Sequence, residues 1–337
     1  LPRTALIIGG AGQIGQATAR RLAEDGWRVI AARKHATDLP HNLIQLGVES
    51  LVIDREEEGV LAKVVGRGVD ALIDTVAYDE HHSKQLLEVQ RDVGALVVIS
   101  SGSVYRDDRG RTIDEARENG FPRFPDPISE DQPTVEPGAA NYSTKKVALE
   151  QHLLQSAIQP VTILRPGAVH GSGSRHPREA YFVKRILDGR RVVPLAFSGA
   201  SRFHTSATAN IAELIRVALN VPGTRVLNIG DPEALTTSEI GAAIASSYNH
   251  EWRLLRFEGA PVGSVGAHPW CTPLPIVLDN ARAERLGYKP VTTYENAVAE
   301  TCRSIEAGLG DTSSWPKYLL TLFDYPAEDA FIAEREL

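Results

Sequence analysis

The chain has 337 residues, 42% of them hydrophobic and 23% charged, with a formal net charge of −7. Such a length accommodates one large α/β core and a smaller lobe, and the composition is that of a soluble globular protein. The acidic balance argues against a surface that coats nucleic acid, and no apolar run approaches the ~18 residues a membrane span needs.

Short apolar runs alternate with amphipathic stretches from the start. Strands are predicted at 4–8, 28–32, 50–53, 70–74, 95–100 and 160–165, with helices at 13–25, 56–66, 80–92 and 140–157. This rhythm is that of an α/β, Rossmann-type doubly wound parallel sheet. Beyond residue 166 helices are expected at 177–188, 208–219, 236–247 and 293–307, and "RVLNIG" (225–230) reads as a strand returning to the sheet. The stretches 106–139 and 258–275 read as loops, rich in Gly, Pro and charge. We therefore expect a dinucleotide-binding domain over 1–166, rejoined by 201–231. A substrate lobe takes 167–200 and 232–307, and an extension over 308–337 packs on the body. No signal-like pattern precedes the first strand, and Cys271 and Cys302 lack metal-ligand spacing. The expectation is a cytoplasmic protein without a metal.

"GGAGQIG" (9–15) lies between the first strand and the first helix. Gly9 permits a tight turn, Gly12 leaves no side chain between backbone and a pyrophosphate, and Gly15 lets the helix pack against the strand. Gln13 and Ile14 open that helix, whose free N–H groups face the phosphates. The second strand ends in Ala32, Arg33 and Lys34, with no carboxylate for a ribose 2′-hydroxyl. Two cations suit a 2′-phosphate, so NADP(H) is expected ahead of NAD(H). Asp54 is placed as an acceptor for the adenine amino group, and Ala77 as a wall of the cofactor cleft.

"NYSTKK" sets Tyr142 and Lys146 on one face of a helix. A phenol is a poor base near neutral pH, and a nearby ammonium favours its phenolate. Ser100, Ser101 and Ser103, in "VVISSGSVY" (97–105), offer hydroxyls to hold a reacting oxygen. Together these suit hydride transfer between a hydroxyl/ketone pair and a nicotinamide.

These motifs resemble the extended short-chain dehydrogenase/reductase family, the NAD(P)-dependent epimerase/dehydratase group. "GGAGQIG", "DALIDTVAY", "SSGSVY", the Tyr142/Lys146 pair, "LRPGAVHG" (164–171) and "LGYKPVTTYENAVAETCRSI" carry the resemblance, over roughly residues 4 to 307. It implies a sheet of about seven strands, a small C-terminal substrate lobe and a homodimer through the helices at 80–92 and 140–157. It implies Ser101 as the catalytic serine beside Tyr142 and Lys146, with Pro166 and Val169 flanking the nicotinamide.

The pattern also departs from that family. Ala168 stands where an Asn often contacts substrate. "SRFHTSATANIA" (201–212) keeps Arg202 but has Asn210 in the approximate place of an Asp. Arg202 is open to three readings: a diphosphate ligand, a partner for another substrate anion, or a rim residue. Ser103 and His170 complete the expected substrate contacts. "SSGSVY" lacks the Asp–Glu pair of dehydratase members, and the Ser101–Tyr142 interval of 41 residues leaves room for a lid or specificity loop. The substrate class expected is a small polyol or sugar derivative, including a nucleotide sugar. The alternative is a non-catalytic NADP(H)-binding sensor or partner-binding protein on the same fold.

Overall fold

Seven short apolar runs lie side by side in a computed structural model, which describes residues 2–36, 39–310, 312–313 and 315–336. The strands in chain order are β1 (Thr4–Ile8), β2 (Arg28–Arg33), β3 (Glu49–Val52), β4 (Val69–Asp74), β5 (Val93–Ile99) and β6 (Val161–Pro166). They are followed by β7 (Ala168–His170), β8 (Val192–Leu195), β9 (Thr205–Ala207), β10 (Arg225–Ile229) and β11 (Arg253–Arg256). The large sheet has seven strands in the order β10-β6-β5-β4-β1-β2-β3, and its pairings are parallel. Chain order reverses across the β1–β4 boundary, so a crevice opens there at the carboxyl ends of the strands. Two small parallel pairs, β7–β9 and β8–β11, lie outside it.

The helices of the first half are α1 (Gln13–Glu24), α2 (His41–Gln45), α3 (Val60–Val65), α4 (Glu80–Val89), α5 (Ala116–Asn119) and α6 (Tyr142–Ser156). Those of the second are α7 (Ala180–Leu187), α8 (Thr208–Asn220), α9 (Thr237–Ser247), α10 (Ala281–Arg285), α11 (Tyr294–Gly308), α12 (Lys317–Leu320) and α13 (Tyr325–Glu336). Alternation along each strand sends its residues to both faces. Ala5 and Ile7 pack with Leu22 of α1 and Leu214 of α8. Leu6 and Ile8 pack on the other face with Leu86 of α4 and Leu149 of α6.

Two expectations are corrected in detail. The helix read over 56–66 shrinks to Val60–Val65, because Gly59 caps it in the left-handed region at φ +70°. The 106–139 stretch is not a free lid. Tyr105 donates its hydroxyl to Asn228 (2.6 Å), whose amide donates to the Ile128 carbonyl (2.9 Å). Ile128 N–H donates to Val277 O (2.7 Å), tying the segment to the chain beyond β10. Asp107 gathers the N–H groups of Arg109, Arg111 and Arg123 and the Arg111 guanidinium. Burial works to raise that carboxyl, but these donors draw it down to about 2.

A second core unites Tyr181 and Phe182 of α7, Ile240 of α9, Trp270 and Tyr294. The C-terminal helix α13 joins it through a buried ion pair between Glu328 and Arg185. The Arg185 guanidinium also lies 3.7 Å from the Tyr181 ring centroid and donates to the Leu322 carbonyl (2.7 Å). Removing one partner strands a charge in the interior. Glu328→Ala should therefore lower unfolding free energy by about 3–5 kcal/mol, read by urea denaturation. A loss under about 1 kcal/mol would mean that apolar contacts alone hold the tail.

Candidate active site

The turn after β1 is built by its glycines. Gly9 has φ +81°, and its N–H and that of Gly10 both donate to Ala32 O (3.0 and 2.9 Å). A Cβ on Gly9 would sit 2.4 Å from Thr75 Oγ1, and one on Gly10 would sit 2.6 Å from Ala31 Cβ. A Cβ on Gly15 would lie 2.2 Å from Gly9 O, so this glycine packs the helix against the turn itself rather than against the strand. Gly12 differs in degree. A Cβ there meets Gly9 O at 3.3 Å, a tight contact that a small shift of the turn relieves, so packing constrains it less than the other three. Gly12 is the N-cap of α1 and supplies no side-chain cap. The N–H groups of Gln13, Ile14 and Gly15 thus lack helical acceptors, and Gln13 Oε1 is buried without a hydrogen-bond partner. This cradle fits the pyrophosphate of a dinucleotide.

At the end of β2, Arg33 donates through Nε to Ser50 Oγ (2.7 Å). Lys34 pairs with Asp54 at 3.0 Å, an exposed contact beyond the ends of β2 and β3. Two residues read separately as cofactor contacts therefore meet each other. The end of β4 carries a feature that sequence reasoning missed. Asp74, fully buried, accepts from the N–H groups of Val76 (2.9 Å) and Ala77 (2.7 Å) and pairs with Arg55 (2.6 Å). An acid closing a strand before "TVA" is the local signal for that turn; its Arg55 partner lies 19 residues earlier.

Tyr142 opens α6, behind an Asn141–Thr144 capping box, and Lys146 follows one turn later. The Lys146 ammonium donates to Ala77 O (2.5 Å) and Ile99 O (2.9 Å), and lies 5.7 Å from the Tyr142 ring centroid. Burial pulls it down to about 8, against the Asp74 and Glu150 carboxylates. Desolvation raises the Tyr142 phenol, a Ser101 hydrogen bond works to lower it, and the Asp114 charge raises it again. The ring is 39% exposed, so that desolvation is partial. Ser101 Oγ donates to Ser103 Oγ (3.0 Å), which meets Ser143 Oγ at 2.9 Å. The serines, the tyrosine and the lysine thus converge at the carboxyl edge of β4 and β5. Tyr78, which sequence reasoning also missed, brings its ring to 5.8 Å from that of Tyr142.

The expected substrate contacts are placed less uniformly. Pro166 ends β6 and is buried; Val169 is half-buried in β7. The Ala168 methyl is buried, so it presents no surface to a ligand. His170 is 1% exposed, with its Nε2 2.7 Å from Asp231 Oδ2. A substrate contact by that ring is corrected to a buried ion pair. Burial lowers the imidazolium and Asp231 more than restores it, leaving His170 raised. Asp231 also accepts from Thr205 (2.7 Å), Ala207 N–H (2.7 Å) and Asn210 (3.0 Å), joining β7, β9 and α8. Ser103 spends its hydroxyl on the serine row. Arg202 forms an ion pair with Asp126 of the 106–139 segment. Among the described residues no group of three or more His, Cys, Asp or Glu forms a metal set, and no helix is long and apolar enough to cross a membrane.

Sequence comparison matches residues 5–230 to the NAD dependent epimerase/dehydratase family. The chain belongs to that family of enzymes. No curated protein matches it in sequence. Among solved structures it is similar to UDP-glucose 4-epimerase of Thermus thermophilus in complex with NAD, at 22% identity and TM-score 0.64, covering 90% of this chain and 99% of that one. It is similar to dTDP-glucose 4,6-dehydratase of Bacillus anthracis in complex with NAD, at 18% identity and TM-score 0.66, covering 94% and 99%. It also matches MoeE5 in complex with UDP-glucuronic acid and NAD, at 18% identity and TM-score 0.65, covering 90% and 99%. At these identities the likeness establishes the fold.

The glycines separate two roles by experiment. Gly15→Ala should cost about 1–3 kcal/mol of stability through overpacking, read by thermal unfolding. Gly12→Ala should cost less stability than Gly15→Ala and weaken dinucleotide binding roughly tenfold, read by titration of reduced-nicotinamide fluorescence. Equal affinity in Gly12→Ala would remove the pyrophosphate from this turn.

Proposed function

We propose that the chain is an NAD(P)-dependent oxidoreductase or epimerase that works on a hydroxyl/ketone pair of a sugar-like or nucleotide-sugar substrate. The observation that carries this reading is the meeting of Ser101, Tyr142 and Lys146 at the carboxyl edge beside the glycine turn. The bound dinucleotide supplies a hydride acceptor or donor at its nicotinamide. Tyr142 takes the carbinol proton on oxidation and returns it to the substrate oxygen on reduction. Ser101 holds that oxygen as a hydrogen-bond partner. Lys146 keeps a positive charge near the phenol at neutral pH, since its ammonium titrates near 8. Two of its three N–H donors are spent on Ala77 and Ile99, leaving one for a ligand hydroxyl.

NADP(H) is the preferred cofactor in this reading. Arg33 and Lys34 close β2 where a carboxylate would favour a free 2′-hydroxyl. The Lys34–Asp54 pair is solvent-exposed and contributes little, so a 2′-phosphate competes for the ammonium. Arg202, half-exposed at the rim, is the cation for an anionic substrate group, in exchange for Asp126. The packed pair α4 and α6 is the face for a homodimer.

Tyr142→Phe should reduce turnover across an alcohol and ketone panel by about 10²–10⁴-fold, with dinucleotide affinity within about twofold of the native protein. Retained turnover would remove the proton-transfer role. For the cofactor, NADPH should bind more tightly than NADH, and replacing Arg33 and Lys34 by serine should erase the difference. Equal or tighter binding of NADH by the native chain would overturn the preference.

A further inference from the structure

The 106–139 segment reaches the site at one point that the family motifs do not cover. Asp114 Oδ2 accepts the Ser143 N–H at 3.1 Å, and Ser143 is the residue after Tyr142. The Ser143 hydroxyl donates to Ser103 O (3.0 Å) and meets Ser103 Oγ, which accepts from Ser101. Glu115, the next residue, accepts from the Asn141 amide at 3.3 Å. Three separate pieces of chain therefore meet on the first turn of α6: the segment, the serine row after β5, and the helix itself.

We propose that Asp114 is a positioning residue for the Tyr142–Ser101 pair: it ties the first turn of α6 to the segment and stands a fixed negative charge beside the phenol. The proposal rests on the oxidoreductase reading of Tyr142 for its catalytic meaning. Its physical basis is the helix end. The unpaired N–H groups of a first turn carry partial positive charge, which favours a phenolate at the first helical residue. A carboxylate accepting one of those N–H groups opposes that bias.

The charged and titratable groups around Tyr142 are few. Lys146 faces it from α6, 5.7 Å from the ring centroid. Tyr78 faces it from the turn after β4, with Lys145 lying 5.1 Å from the Tyr78 ring centroid. Ser101 faces it from the turn after β5, and Asp114, with Glu115 beside it, from the segment. The Asp114 charge therefore raises the phenol, while the Lys146 ammonium is held by two carbonyls. With Asp114 ionised, Tyr142 holds its proton more firmly. A protonated phenol can give a proton but cannot take one, so the Asp114 charge opposes the base role that oxidation of a carbinol needs.

The charge effect is tested without substrate. Protein labelled with 3-fluorotyrosine, whose phenol titrates lower than that of tyrosine, is followed by fluorine NMR, and the Tyr142 resonance is assigned by its loss in Tyr142→Phe. Asp114→Asn keeps an acceptor for the Ser143 N–H and removes only the charge; position 114 is exposed, so the fold tolerates the change. The Tyr142 midpoint should fall by about half a pH unit in Asp114→Asn, while Asp114→Glu stays near the native value. A midpoint in Asp114→Asn equal to or above the native one would overturn the proposal. If the midpoint falls but Tyr142→Phe retains turnover, the charge effect stands and the catalytic reading is what fails.

Discussion

One buried ammonium ties the helix that carries Tyr142 to the sheet that carries the rest of the site. Lys146 donates to Ala77 O at the turn after β4 and to Ile99 O at the end of β5. One carbonyl follows β4 and the other ends β5, neighbouring strands, so the lysine spans the carboxyl edge like a cross-brace. Its phenol neighbour lies one turn back along α6, and i, i+4 spacing sets their relation once the lysine is held. The position of Tyr142 over the crevice is thus a consequence of the backbone of two strands, not of the tyrosine's own contacts, which leave it 39% exposed.

A buried ammonium is costly unless neighbouring charges balance it. Here Asp74 and Glu150 act in its favour and Arg55 against it. Neither carboxylate is its direct partner. Asp74 is bound to Arg55 and to the N–H groups of the 74–77 turn, and Glu150 is bound to Arg165 at 3.0 Å. Each acid is thus engaged elsewhere, and the ammonium keeps its donors for backbone carbonyls. Asp74 acts twice, since the turn it folds carries Ala77, whose carbonyl then receives the lysine. Loss of that carboxylate would disturb the turn, the arginine and the brace together, which makes it as much a part of the site as the residues that face the crevice.

Local spacing made most of this architecture legible in the sequence. The strand–glycine–helix order, the strand ends and the Tyr142–Lys146 interval are short-range patterns, and the structure places those elements where periodicity put them. What stayed hidden are pairings between distant segments. His170 and Asp231 are 61 residues apart, and nothing in "GAVHG" announces a buried acid as the histidine's partner. Lys34 and Asp54 were both visible, but their ion pair depends on β2 and β3 lying side by side, and so on the register of Arg33 against Val52. The short strands β7 and β9 escaped because three residues carry no periodicity. The sequence divided the roles of three turn glycines, but the packing partner of Gly15 and the role of Gly10 emerge only from the neighbours of each absent Cβ.

The 106–139 segment shows how a shared scaffold acquires its own chemistry. It is held by Asn228 on the edge strand, by Val277 O and by the Asp107 hub, so it is part of the structure rather than a flap over it. From that anchorage it sends two carboxylates to opposite partners. Asp114 meets the N-terminus of α6, and Asp126 meets Arg202 on the approach to β9. Both partners are centres of positive charge at the rim, one a helix end and one a guanidinium. A segment outside the Rossmann framework can therefore set the electrostatic character of the rim without moving a strand. The sheet and the lysine brace hold α6 from one side, and this segment holds its first turn and the Arg202 guanidinium from the other.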